Sequence, residues 1–138
     1  MVIPSGMQMA ADRYRFYEGD FAGAFKFIQD VAINWEQTVP LLGLIGEYYV
    51  VARQGRDEPN WYVGGITNDE SRKVSLNFEF LDDGKTYMME LYKDGDDAHY
   101  REKQLSIKIE EHHVKKGDRF DVYIAPGGGF AMRLVPTE

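Results

Sequence analysis

The chain has no cysteine in its 138 residues. Disulfides, thiolate nucleophiles and cysteine-based zinc sites are therefore excluded. Basic residues are also in deficit: 16 Lys and Arg stand against 23 Asp and Glu, a formal charge of −7. Nucleic-acid binding draws on Lys and Arg to neutralise phosphates, and docking on an anionic lipid surface needs the same charge. Neither a nucleic acid nor a membrane is expected as a partner. No apolar run approaches the roughly 20 residues of a membrane-spanning helix. Met1 to Ala11 lack the basic start and the long apolar stretch of a secretory leader. Internal repeats and low-complexity segments are missing too.

What is present is ordinary globular material. Hydrophobic residues make up 43% and aromatics 14%, far from the composition of disordered chains. The length suits a single domain able to bury a core without covalent staples.

The chain changes character near residue 33, which divides it into a helical segment, 1–32, and a β domain, 33–138. Ser5 is placed to cap a short helix through Gln8, Met9, Ala10 and Ala11, and Asp20 to cap a second from Phe21 to about Val31. In the second helix Phe21, Ala24, Phe25 and Ile28 form one apolar stripe. A stripe on so short a helix needs a packing partner.

From Thr38 onward the alternation predicts eight strands: Thr38–Leu44, Glu47–Arg53, Trp61–Thr67, Lys73–Phe80, Thr86–Lys93, Lys103–Glu111, Arg119–Ile124 and Phe130–Val135. Val74, Leu76, Phe78 and Phe80 form the clearest inward face; Leu105, Ile107 and Ile109, and Phe120, Val122 and Ile124, repeat the pattern. The second strand, Tyr48–Ala52, is apolar on both faces, as a central strand or one covered by the helix would be. Asp82-Asp83-Gly84 and Lys116-Gly117-Asp118 read as hairpin loops. The expected fold is a mainly β, antiparallel sandwich of about eight strands behind a short N-terminal helical segment.

Few residues offer chemistry. His112 and His113 are neighbours on a strand and point to opposite faces, so they do not converge on one ion. Asp94-Gly95-Asp96-Asp97 lacks the ligand spacing of a calcium loop and reads as an acidic solvated turn. Gly127-Gly128-Gly129 is followed by a strand instead of a helix, so it lacks the dipole a phosphate cradle needs. Gly64-Gly65 inside a strand marks a bulge or a close backbone approach. Carboxylate pairs are too common in an acidic protein to define a glycosidase pair. No catalytic residue and no metal site is expected. Trp61 and Tyr62, with Tyr48, Tyr49 and Tyr92 nearby in type, are the candidates for stacking on a sugar ring.

A set of ordered motifs resembles the C-terminal part of glycoside hydrolase family 97. Ile45-Gly46-Glu47-Tyr48, running on through Val50, Val51, Ala52 and Arg53, is similar to one family strand, and Trp61-Tyr62-Val63-Gly64-Gly65-Ile66-Thr67-Asn68 to another. Phe80-Leu81 with Gly84 and Tyr87, Leu91-Tyr92-Lys93-Asp94-Gly95 with Asp97 and Ala98, and Ala125-Pro126-Gly127-Gly128-Gly129 follow in the family's order. Upstream, Ser5, Gln8 to Asp12, Phe25, Phe27-Ile28, Asp30-Val31, Asn34-Trp35 and Thr38 resemble the end of the catalytic barrel and its junction. Gly6-Met7 departs from the Pro-Leu usual in that stretch.

The resemblance implies a non-catalytic accessory domain of a bacterial, periplasmic or secreted enzyme acting on α-linked oligosaccharides as an α-glucosidase or α-galactosidase. The family's acid and base, and any calcium, belong to the barrel, so this chain inherits neither catalytic residue nor cofactor. The implied role is structural: bracing the catalytic barrel of the parent enzyme and supporting a homo-oligomer. The competing reading is a carbohydrate-binding module with an aromatic platform at Trp61 and Tyr62. Exposure of those rings discriminates the two. For the first 32 residues the expectation is either a helix folded back on the sandwich, through the strand around Tyr48 and Val50, or a dimer through that segment.

Overall fold

A computed structural model describes residues 1–3, 15, 17, 19, 21–103 and 105–137. The proposed Ser5-capped helix, the Asp20 cap, Met7 and Met9 lie outside the described residues.

The eight strands are β1 (Trp35–Leu44), β2 (Tyr48–Gly55), β3 (Trp61–Thr67), β4 (Arg72–Asn77), β5 (Thr86–Asp94), β6 (Ile107–Lys115), β7 (Arg119–Ile124) and β8 (Gly129–Thr137), preceded by helix α1 (Ala22–Asp30). They form a six-stranded sheet, ordered β1-β2-β3-β8-β5-β6, and a two-stranded sheet, β4-β7. Every pairing is antiparallel. The fold is thus the expected antiparallel β-sandwich.

The core lies between the sheets. Alternate residues of β2, β3, β5 and β8 point inward: Val50 and Ala52, Trp61 and Val63, Met89 and Leu91, Met132 and Leu134. The small sheet meets them with Val74, Leu76, Val122 and Ile124, and Phe78 and Leu81 seal the turn that follows β4. Phe78 is fully buried, whereas Phe80 and Phe120 are only partly covered.

Two expectations are corrected. The sixth strand runs later than predicted and in the opposite phase. Pairing with β5 sets Val114 beside Tyr87 and His112 beside Met89, so the even-numbered residues face inward. Leu105, Ile107 and Ile109 are consequently exposed. A one-residue change of phase exchanges the faces of a whole strand. The second correction concerns the turns. Asp82–Gly84 and Lys116–Asp118 do not close hairpins, because each carries the chain from one sheet to the other. They are tight all the same: Gly84 and Gly117 have φ of 75° and 84°, and the Asp118 N–H donates to the Lys115 carbonyl at 3.1 Å.

Helix α1 starts from Phe21, which makes no side-chain capping bond. It folds back onto the sandwich, but not at Tyr48 and Val50. Val50 points into the core, and Tyr48 packs against it at the end of the sheet. The helix crosses β3, β5 and β6 instead, with Phe27 lying 6.3 Å from the Tyr62 ring and 5.2 Å from the Tyr92 ring. Gly23 lies close to Ile109 on β6.

Candidate functional site

The outer face of the large sheet, away from the core, concentrates the features that bear on function. A strand alternates its side chains, so Val51 and Arg53 of β2, Tyr62 and Gly64 of β3, Glu90 and Tyr92 of β5 and Arg133 of β8 share this face. Most of these are buried even though no second sheet lies over them. What covers them is Met1 and Val2, helix α1 and, over Arg53 and beside Tyr62, Trp35 of β1. A Cβ at Gly64 would press on Met1 and Val2, at 3.0 and 2.9 Å, so the missing side chain makes room for those residues on the sheet. Inward-facing Gly65 has no space either, since a Cβ there would overlap the Phe130 ring. These two approaches explain the paired glycines. They also explain why β2 is apolar on both faces.

Beneath α1 sits a polar cluster. The Tyr62 hydroxyl lies 2.8 Å from the Asp30 carbonyl oxygen and 3.0 Å from Glu58 Oε1, and shares its one proton between them. Burial, and then the neighbouring Glu58 carboxylate, push the Tyr62 pKa above its ordinary value. Lys26 pairs with Asp30 in the next turn and with Glu90 at 3.5 Å. Arg133 Nη1 reaches Asp30 at 3.3 Å and Glu90 at 3.4 Å. Two cations and two carboxylates thus tie α1 to β5 and β8; the Arg133–Glu90 pairing is largely covered and so stronger than an exposed one, whereas Lys26 stays half exposed and adds less.

The apolar stripe Phe21, Ala24, Phe25 and Ile28 is not what α1 lays on the sheet. The sheet-facing side carries Gly23, Phe27 and Asp30, and Phe21, Phe25 and Ile28 lie roughly half a turn away, on nearly the opposite side. Phe25 meets Tyr17 at 4.5 Å, and Ile28 is exposed.

The other singled-out residues have structural places. Trp61 is 3% exposed and Tyr62 0%. Trp61 packs in the core 4.9 Å from Phe80, and Tyr62 lies between Phe27 and Trp35, the latter at 5.7 Å. Neither ring presents a free face to a sugar. His112 turns inward against Phe120 at 4.9 Å, while His113 turns outward. The acidic loop is engaged by the protein itself: Asp96 pairs with Lys108, and Asp97 with Lys103 and, at 2.6 Å, with the Ser106 hydroxyl. The Lys103 and Ser106 hydrogen bonds hold the Asp97 carboxyl down at about 2. Among the described residues, no three His, Asp or Glu side chains group as metal ligands.

Asp94, in sequence only one member of an acidic turn, has a place of its own in the structure. Its carboxylate accepts from the Ala125 N–H at 3.1 Å and the Gly129 N–H at 2.9 Å, holding the triglycine turn. Burial raises its pKa, and the two backbone donors oppose that rise. The same turn is tied to β3: Gly127 N–H donates to the Asn68 carbonyl at 2.7 Å, and Thr67 N–H to the Gly128 carbonyl at 3.2 Å. Asn68 N–H in turn donates to the Glu47 carbonyl at 2.7 Å. Four of the sequence motifs therefore meet at one end of the sandwich, held by hydrogen bonds to the backbone.

Comparison with known proteins gives this architecture a family. The profile described as "Glycosyl-hydrolase 97 C-terminal, oligomerisation" matches residues 34–135. A retaining alpha-galactosidase of Bacteroides thetaiotaomicron is 40% identical over 108 residues, which are 78% of this chain and 16% of that protein. The solved structure of a Glycoside Hydrolase Family 97 enzyme in complex with panose, from Pseudoalteromonas sp. strain K8, superposes with a TM-score of 0.91 at 34% identity, over 95% of this chain and 20% of that one. A beta-arabinopyranosidase structure follows with a TM-score of 0.71 at 25% identity, over 91% of this chain and 18% of that one. The chain thus spans a fifth or less of its relatives' length, and the matched part is their accessory domain. With that profile matched over residues 34–135 and the family's motifs in order on an antiparallel sandwich, the chain belongs to the C-terminal oligomerisation domain family of glycoside hydrolase family 97.

Proposed function

We propose that this domain braces the catalytic barrel of a family 97 glycosidase and joins copies of that enzyme, which acts on α-linked oligosaccharides in the periplasm or outside the cell. The observation that carries the proposal is the geometry of α1. The helix is locked to the sandwich on one side by Phe27 and the Lys26–Asp30–Glu90–Arg133 cluster. Its exposed Ile28, with Phe21 and Phe25, is turned away from the sheet and suits packing against further helices. On this reading residues 1–32 are the last part of the barrel, and α1 is the rigid joint between the catalytic and accessory domains. Substrate class and α-linkage come from the family, with a retaining alpha-galactosidase among the relatives. Burial of Trp61 and Tyr62 speaks against a sugar-stacking platform at those residues.

The test is a turnover assay with nitrophenyl α-glucoside and α-galactoside, run beside sedimentation analysis of the same purified chain. No hydrolysis is expected, together with concentration-dependent self-association. Turnover that is lost on mutating a residue of this chain would overturn the accessory role. A chain that stays monomeric at every concentration would overturn the joining role.

A further inference from the structure

The joining role needs a surface, and the end of the sandwich where the motifs meet supplies one. The β1–β2 turn places Leu44 and Ile45 in water, with Ile45 fully exposed. The turn, Ile45 included, forms one rim of an open groove of about 630 Å³ whose walls include Leu42, Leu44, Tyr49 and Ile66. We infer that this tip is where a second copy of the chain docks, each Ile45 seating in the groove of the other across a two-fold axis. The inference rests on the self-association reading and specifies its site.

Four observations support a second copy as the occupant. First, knob and groove belong to the same patch, which is the requirement of an isologous contact. Second, residues 37–46 carry no charged side chain, and the adjoining Glu47 is paired with Arg72 at 2.7 Å, a cation that also meets Glu70 at 3.2 Å. Two copies of a chain with a charge of −7 repel unless their contact is free of like charge. Third, the tip is held in place before any contact forms. Gly46 takes φ of 82°, which the turn requires. Arg72 also stacks on Tyr48 at 5.1 Å, and Asn68 ties Glu47 to the triglycine turn. A preorganised knob loses little conformational entropy on docking. Fourth, β1 is an edge strand, but Pro40 and the irregular register between Pro40 and Leu42 interrupt its free backbone. Such breaks disfavour edge-to-edge strand pairing, which favours side-chain docking as the mode of contact.

Analytical ultracentrifugation of the full chain tests the assignment, comparing wild type with Ile45→Asp and with Ile28→Asp on α1. Ile45 makes no core contact, so circular dichroism and melting temperature of Ile45→Asp should match wild type. Its dimer dissociation constant should rise at least tenfold, because a carboxylate would have to enter an apolar groove. Ile28→Asp should leave that constant unchanged. If wild type associates and Ile45→Asp associates equally well, this docking site is wrong and the joining role stands. If Ile28→Asp alone dissolves the dimer, the interface lies on α1. If wild type is monomeric throughout, the joining role fails together with the site.

Discussion

Truncating Phe78 to alanine tests the layered core most directly. The side chain is fully buried, at the point where the chain leaves β4 and turns toward the large sheet. A buried phenyl removes about 150–250 Å² from water, worth about 4–6 kcal/mol at ~25 cal/mol per Å². Alanine keeps a small part of that, and the cavity it leaves adds a penalty, which gives about 4 kcal/mol within the usual range for such truncations. The ring also supports a chain of aromatics, with Phe80 at 5.9 Å and Trp61 4.9 Å beyond it, so Phe80 loses an edge contact as well. Phe120→Ala is the internal comparison. Its ring is only partly covered and meets His112 at the sheet margin, so about 2 kcal/mol is expected by the same area argument. Urea unfolding followed by tryptophan fluorescence reads both, since Trp61 lies within the affected cluster. With a slope of about 2 kcal/mol per molar, the midpoint should fall by about 2 M for Phe78→Ala and about 1 M for Phe120→Ala. A loss under 1 kcal/mol at Phe78, or an equal loss at both sites, would refute the layered packing described above.

Three further outcomes are expected. Tyr62→Phe removes the hydroxyl that bonds the Asp30 carbonyl; it should cost about 1–2 kcal/mol and speed hydrogen exchange across α1 while β4 and β7 stay protected, and unchanged α1 protection would count against the joint. Burial, helped by the Asp82 carboxylate 3.0 Å away, raises the Tyr87 hydroxyl to about 12. The folded state therefore keeps a proton that the unfolded chain releases near pH 10, so this stabilisation is complete below pH 10 and is lost as pH rises toward 12. Tyr62 and Tyr92 are raised in the same direction, so both proteins should weaken, but wild type by about 2–3 kcal/mol more than Tyr87→Phe over that window; parallel alkaline profiles for the two would contradict the assignment. Asp94→Ala strips the acceptor from the Ala125 and Gly129 N–H groups and should cost about 2–3 kcal/mol, with faster exchange at those two amides; stability within experimental error of wild type would show that the turn holds itself.

Local physics alone specified much of this protein. Strict alternation in Val74, Leu76 and Phe78 marks a half-buried strand whatever surrounds it, because the strand period is a property of the backbone. The turn glycines Gly84 and Gly117 were equally legible, since only a residue at ease with positive φ reverses the chain there. The absence of cysteine and the negative charge removed whole classes of function without reference to any fold. The family likeness was visible for a related reason: its motifs are tied to turns and close backbone approaches, as at Gly64-Gly65 and Ala125–Gly129, where few residue types fit.

Tertiary structure decided the rest. Whether Ile107 and Ile109 or Val114 face the core depends on which residues of β5 they oppose, and a strand with apolar residues in both phases does not carry that choice in itself. Nor does a turn reveal whether it joins neighbours in one sheet or crosses between two, as at Lys116–Asp118. Trp61 and Tyr62 could be read as a platform because an aromatic strand looks alike whether its rings are covered or open; the core covers one and α1 the other. The helix followed the same logic. Its stripe of Phe21, Phe25 and Ile28 promised a packed face, yet Phe27 and the Asp30 cluster dock on the sheet, because a residue's place on a helix fixes which neighbours share its face but not what lies opposite. Periodicity is intrinsic to the chain, whereas the partner of each face is set only when distant segments meet.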